Sequence, residues 1–232
     1  MYETRDNLII GFHGCDAETG KLLLNNPNHL KISEKPYDWL GHGMYFWENN
    51  YNRALLWAKE KAKRKEIKTP SVIGAVINLG YCFDLLDNRF IEMLKAYYDL
   101  MALNYRVLGN ELPRNKDLKS DSSHDKILRE LDCAVIEFMH QQIHIQIKED
   151  LNLKGFSQYR EFDSVRGVFT EGAAAYPGAG IFEKSHIQFV LEIITVLRVS
   201  FYQEIKKIFN YKYIYRTNRK NSINLRYKIC EM

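Results

Sequence analysis

The stretch Leu8-Ile9-Ile10-Gly11-Phe12-His13-Gly14-Cys15, read with Trp39-Leu40-Gly41-His42-Gly43-Met44-Tyr45-Phe46-Trp47-Glu48, decides what kind of domain this chain builds. The first is an apolar run punctuated by glycine, which suits a buried strand that delivers His13 to its exit. In the second, glycines mark a turn that leads into four large residues, Met44 to Trp47, of strand composition. Alternation along that strand points Tyr45 and Trp47 to one face.

Working outward, Ala17 to Asn25 reads as a short helix closed by Asn-Asn-Pro. Asn50 to Lys68 reads as a longer one, with Ala54, Leu55, Ala58 and Ala62 at helical spacing and basic residues crowding its second half. Glu48 and Asn49 are expected to cap it. Val72 to Leu79 is a continuous apolar strand, and Phe83 to Leu86 follows across a turn. Helical period returns over Phe90 to Leu108, a polar loop runs from Leu112 to Asp125, and Lys126 to Asp150 is helical, with Asp132 a hydrogen-bonded structural acid within it. Val165 to Phe169 and Ile187 to Leu197 are the last strands, separated by the Gly- and Ala-rich loop around Gly172 to Gly180.

With 232 residues, 46% apolar and 27% charged, the chain suffices for one substantial core. The net charge of +4 is unevenly spread: residues 202–232 hold eight Lys or Arg against Glu204 and Glu231. The expected organisation is therefore a domain over 1–201 and a basic appendage over 202–232, where Tyr211, Tyr213, Tyr215 and Tyr227 interleave with cations as in segments that track nucleic-acid phosphates. A solvated basic helix or strand explains the same residues equally well. No apolar run is long enough to span a membrane and no signal core opens the chain, so a cytoplasmic protein without membrane contact is expected. Cys15, Cys82, Cys133 and Cys230 are scattered, which indicates neither a zinc knuckle nor a disulfide framework.

His13 and Tyr45 in these settings suggest a grip on a nicotinamide ring. A glycine such as Gly14 lets main-chain N–H and C=O approach a carboxamide. A neighbouring histidine can hold a ribose hydroxyl, and a tyrosine offers a flat face to the ring. Cleaving the nicotinamide–ribose bond passes through an oxocarbenium-like cation, for which a later carboxylate or amide would orient the ribose or the nucleophile. Glu171, Glu183 and Gln188 are candidates.

The His13-Gly14 step, followed by Gly41-His42-Gly43-Met44-Tyr45-Phe46, resembles the ADP-ribosyltransferase superfamily, in its diphtheria-toxin-like and poly(ADP-ribose)-polymerase-like branch. That resemblance implies an α+β fold with a split two-sheet core and flanking helices, NAD as co-substrate and no metal. It makes His13, Gly14, Gly43 and Tyr45 NAD-binding residues: His13 on the adenine-side ribose, Gly14 on the carboxamide, Tyr45 on the nicotinamide face. The family's late glutamate is not evident, because the strand opens Ser185-His186-Ile187-Gln188. Glu171, Glu183, His186 and Gln188 stay open for that position, with Glu171 and Gln188 preferred. The resemblance extends to small toxins of toxin–antitoxin or phage-defence systems, which implies a macromolecular acceptor, RNA or DNA slightly ahead of protein, and an antitoxin partner. An inactive NAD- or ADP-ribose-binding module and a basic RNA-binding protein are the competing readings.

His140 and His144 have the i, i+4 spacing of a zinc protease, but Gln141 stands where that mechanism needs a glutamate base. Arg53, Arg160 and Arg166 are candidates for the NAD pyrophosphate.

Overall fold

The computed structural model describes residues 5–26, 32–117, 125–191 and 199–202. In chain order these form β1 (Arg5–Asp16), α1 (Ala17–Asn25), β2 (Met44–Glu48), α2 (Tyr51–Lys63), β3 (Pro70–Gly80), β4 (Cys82–Asp84), α3 (Asn88–Val107), β5 (Asn115–Lys116), β6 (Leu128–Arg129), α4 (Glu130–Lys154), β7 (Ser164–Phe169), β8 (His186–Leu191) and β9 (Val199–Tyr202). The fold is mixed α and β. One seven-stranded sheet runs β4-β7-β8-β2-β1-β3-β9, and β5 with β6 makes a two-residue ribbon. Within the large sheet, β4 and β7 are parallel and every other pair is antiparallel.

Two sheets are expected from the sequence; the pairing gives one, with a narrow seam. β1 and β3 pair along almost their whole length, yet β1 meets β2 only at Gly11↔Glu48 and Phe12↔Trp47. The halves β9-β3-β1 and β2-β8-β7-β4 are thus joined by two residue pairs, beyond which β1 and β2 part.

Each face of the sheet has its own core. On one, Cys15, Met44, Phe46, Ile73, Ala75, Phe189 and Leu191 pack with Leu23 of α1. On the other, Phe12, Trp47 and Val72 meet Ala54 of α2, and further along Phe83, Val165 and Val190 meet Ile136, Met139 and Ile143 of α4. Gly14 is what lets α2 lie so close, because a Cβ there would sit 2.3 Å from the Ala54 carbonyl oxygen.

Helix ends depart from the sequence pattern where distant residues intervene. α2 stops at Lys63, not Lys68: Lys65 turns to φ 60° and the chain is drawn toward Asp16, whose carboxylate accepts from the Lys68 and Thr69 amides at 2.7 and 2.9 Å. The same carboxylate caps α1 by accepting from Glu18 N. α4 starts at Glu130 because Leu128 and Arg129 pair with β5, and Asn115 Oδ1 accepts from Leu131 N and Asp132 N at its start. Asp132 therefore lies in the first turn, where it takes the Asn115 amide at 2.7 Å. β9 runs through the expected domain boundary to Tyr202 and pairs with β3. The basic appendage beyond it, with Cys230, lies outside the described residues.

Glu48 does not cap α2; Asn50 does, accepting from Arg53 N at 3.0 Å. Glu48 instead joins Asp84 around the buried Arg166 guanidinium, whose Nε and Nη2 donate to it at 2.6 and 3.0 Å, while Nη1 reaches Asp84 at 3.2 Å. Strand alternation brings the three together on one sheet face, and they tie β4, β7 and β2 across β8. The two carboxylates thus occupy the group that the sequence offers to pyrophosphate. Replacing Arg166 with Met would leave the buried Asp84 and the part-buried Glu48 without their cation, and urea unfolding is expected to show a loss of about 3–5 kcal/mol.

Candidate functional site

The seam is built by a side chain standing in for main chain. Ile10 O accepts from Asn49 N at 2.9 Å, so the even residues of β1 direct their N–H and C=O toward β2. Continuing from Phe12↔Trp47, Gly14 would face Tyr45 and bond its carbonyl. That ladder is not continued. The His13 ring lies 2.8 Å, through Nδ1, from Tyr45 O. A carbonyl only accepts, so Nδ1 carries the proton and Nε2 keeps its lone pair. By the same alternation the N–H and C=O of the buried Gly14 point toward the β2 side, where no ladder pair is formed.

Burial holds the imidazole neutral, lowering its pKa to about 4 against the smaller upward pull of the Tyr45 carbonyl, with Lys61 adding to the depression. The Tyr45 hydroxyl donates to Gly41 O at 2.8 Å and accepts from Leu40 N at 2.9 Å, and burial raises its pKa far above the usual phenol value. Tyr45 thereby fixes the turn that precedes its own strand. Gly43, at φ 148°, is required by packing, since a Cβ would lie 2.4 Å from Leu191 O.

Across β2, Trp47 stands opposite Gln188, which accepts from Trp39 Nε1 at 2.7 Å. The Trp39 indole lies over Gly167, where a Cβ would approach to 2.8 Å. His186 follows on the same face, stacked on Phe169 at 5.6 Å and tilted against Trp47 at 6.3 Å. Its Nδ1 donates to Lys184 O at 2.7 Å, and burial lowers its pKa. Arg53 of α2 is ion-paired with Glu171. Arg129 lies over the Phe169 ring at 4.0 Å. The buried Trp47 Nε1, Arg53 Nε and Arg129 Nε have no hydrogen-bond partner.

His13 and the Tyr45 carbonyl thus meet beside Gly14 at the seam, whereas the Tyr45 ring packs against the core around Leu40, Phe83 and Val190 and is not offered to a ligand there. Gln188 and His186 flank Trp47, and Glu171 follows β7. Glu183 is exposed on the loop between β7 and β8. Arg160 pairs with Asp163, and His144 with Glu161. Among the described residues no three His, Cys, Asp or Glu side chains are grouped to hold a metal, and no helix is long and apolar enough to cross a membrane. The sequence reading missed Trp39, Phe169 and Arg129. The two rings had a signal only in being aromatic, and Arg129 had none.

Compared with known proteins, the chain matches no protein family and no solved structure. It is 22% identical over 160 residues to an uncharacterized protein of Methanocaldococcus jannaschii, which covers 68% of this chain and 63% of that protein's length.

The buried imidazole makes stability pH-dependent. The unfolded histidine takes up a proton near pH 6.5 and the folded one only near 4, so between those values the unfolded state binds more protons. Stability is expected to be complete above about pH 6.5 and to fall as pH drops toward 4. His186 adds to this with the same sign. Melting temperature followed from pH 7 to 4 should decline less steeply in His13→Gln than in the unmodified protein.

Proposed function

We propose that this chain is an NAD-dependent ADP-ribosyltransferase acting on a macromolecule, nucleic acid in preference to protein, and that it serves as a toxin in a toxin–antitoxin or phage-defence system. The observation that carries the reading is the seam, where the His13 imidazole takes the Tyr45 carbonyl and leaves the Gly14 main chain directed into the opening. A carboxamide presents one donor side and one acceptor, which the C=O and N–H of a single residue can meet together. His13 Nε2 is an acceptor for a ribose hydroxyl at any pH well above 4. On this reading the two-pair junction of β1 and β2 stands where the resemblance puts its split, and NAD lies beside it.

NAD supplies the ADP-ribosyl group. The bond between ribose C1′ and the nicotinamide nitrogen breaks with its electron pair going to nicotinamide, and the acceptor nucleophile bonds to C1′ and loses a proton. Glu171, ion-paired with Arg53, is the carboxylate this reading assigns to receive that proton. Gln188 can only hydrogen-bond, and its Oε1 is already held by Trp39. His186, neutral through burial, is a second acceptor on the same face.

Purified protein given NAD and cell extract is expected to release nicotinamide. His13→Gln should lower the rate about 10–100-fold, as the loss of one aligned hydrogen bond does. Intact NAD after incubation with extract overturns the reading. The engagement of Glu171 by Arg53 and of Gln188 by Trp39 also suits a module that binds NAD without turnover, which calorimetric binding in the absence of nicotinamide release would identify.

A further inference from the structure

We infer that the cavity between the β5–β6 ribbon and the end of β7 receives a nucleobase of the acceptor, with guanine the best match. The inference rests on the transferase reading and names the acceptor that reading leaves open. The cavity, about 340 Å³, is lined by Asn115, Asp125, Lys126, Arg129, Asp132, Thr170 and Phe182.

Its charge selects the ligand. Lys126 and Arg129 face Asp125 and Asp132, so both signs occur and balance. An entering anion or cation gains from two of these groups what it loses to the other two, so neither charge is favoured. A neutral group with donors on one edge and acceptors on another meets neither penalty. Phe182, 40% exposed, supplies a ring for such a group to stack on. The volume exceeds what a single amide side chain fills and suits a flat heterocycle.

Arg129 is the residue that asks for this ligand. Its guanidinium is held over Phe169 at 4.0 Å and Trp39 at 5.2 Å, with Asp132 at 3.7 Å and Asp125 as a second acidic neighbour. Its Nε is buried without an acceptor. The guanidinium lines the cavity and is pinned there by the two rings, so a partner arriving from outside meets it in a fixed orientation. Guanine brings O6 and N7 acceptors to an arginine, and its N1–H and N2–H donors suit a carboxylate. The cavity also adjoins the reacting region. Thr170 on its wall precedes Glu171, and Phe169 beneath Arg129 stacks on His186.

The test uses the full chain with short fluorescent single strands of RNA and of DNA, each with and without guanine, read by anisotropy. Guanine-containing strands should bind about tenfold more tightly, with the RNA and DNA arms showing which polymer supplies the base. Phe182→Ala should remove about tenfold in affinity, the loss of one base–ring stack, and Arg129→Gln should abolish the guanine preference. Nicotinamide release in the absence of any strand should be unchanged in Phe182→Ala. Equal binding of guanine-free strands, or unchanged binding by Phe182→Ala, overturns the pocket, as does transfer of labelled ADP-ribose from NAD to a protein pool alone. Guanine-selective binding that depends on Phe182 without nicotinamide release upholds the pocket and removes the transferase reading.

Discussion

The hydrogen bond from the His13 imidazole to the Tyr45 carbonyl sets the rest of the structure. A sheet edge left unpaired and buried costs free energy, so two strands that diverge inside a core need a substitute for the lost ladder. Here one side chain provides it. The ring fills the space that the next main-chain bond would have crossed, satisfies the carbonyl and remains neutral because burial penalises its charge. The seam is then a stable feature, and Gly14 keeps polar groups that a continuous ladder would have consumed.

The same economy runs through the surrounding loops. Tyr45 anchors the turn from Leu40 to Gly41 with its hydroxyl, and the positive φ of Gly41 and Gly43 lets that turn lie against α4 and β8. Gly167 admits the Trp39 indole, which holds Gln188 in place. Glycines that a motif reading assigns to ligand approach therefore have packing duties of their own. At Gly14 the two explanations apply to different atoms: the missing Cβ admits α2, while the main-chain N–H and C=O face the opening.

Chemistry around Trp47 has a different origin. Arg53 reaches Glu171 from a helix on one side, and Arg129 reaches Phe169 from the start of another, so cations from α2 and the β6–α4 junction meet the end of β7 and the residues after it. These groups are far apart in the chain, and their orientation follows from the order β7-β8-β2. Arg166 shows the opposite arrangement. Its two carboxylates leave it no capacity for a ligand, and it acts as a tie between strands.

Local pattern was enough for most elements, though not for the short β5 and β6 or for β9. The bounds of α1 follow from Asp16 and the Asn-Asn-Pro break, and β2, β3, α3 and β7 follow from periodicity and glycine punctuation, because those signals are physical properties of a few consecutive residues. That His13-Gly14 and the Tyr45 segment lie side by side was also an expectation of the motifs, and His13 does reach the Tyr45 carbonyl. Helix ends were not, because Asp16 and Asn115 act on α2 and α4 from elsewhere in the chain. Nor was the fate of Glu48, whose partner Arg166 is more than a hundred residues away. The sequence by itself determined where the longer helices and the strands β1, β2, β3, β7 and β8 lie. Only the tertiary structure decided that β1 and β2 separate after Phe12, that Glu171 is met by Arg53, and that Arg129 is left with an unfilled donor. Each of these depends on distance in space, which no spacing along the chain encodes.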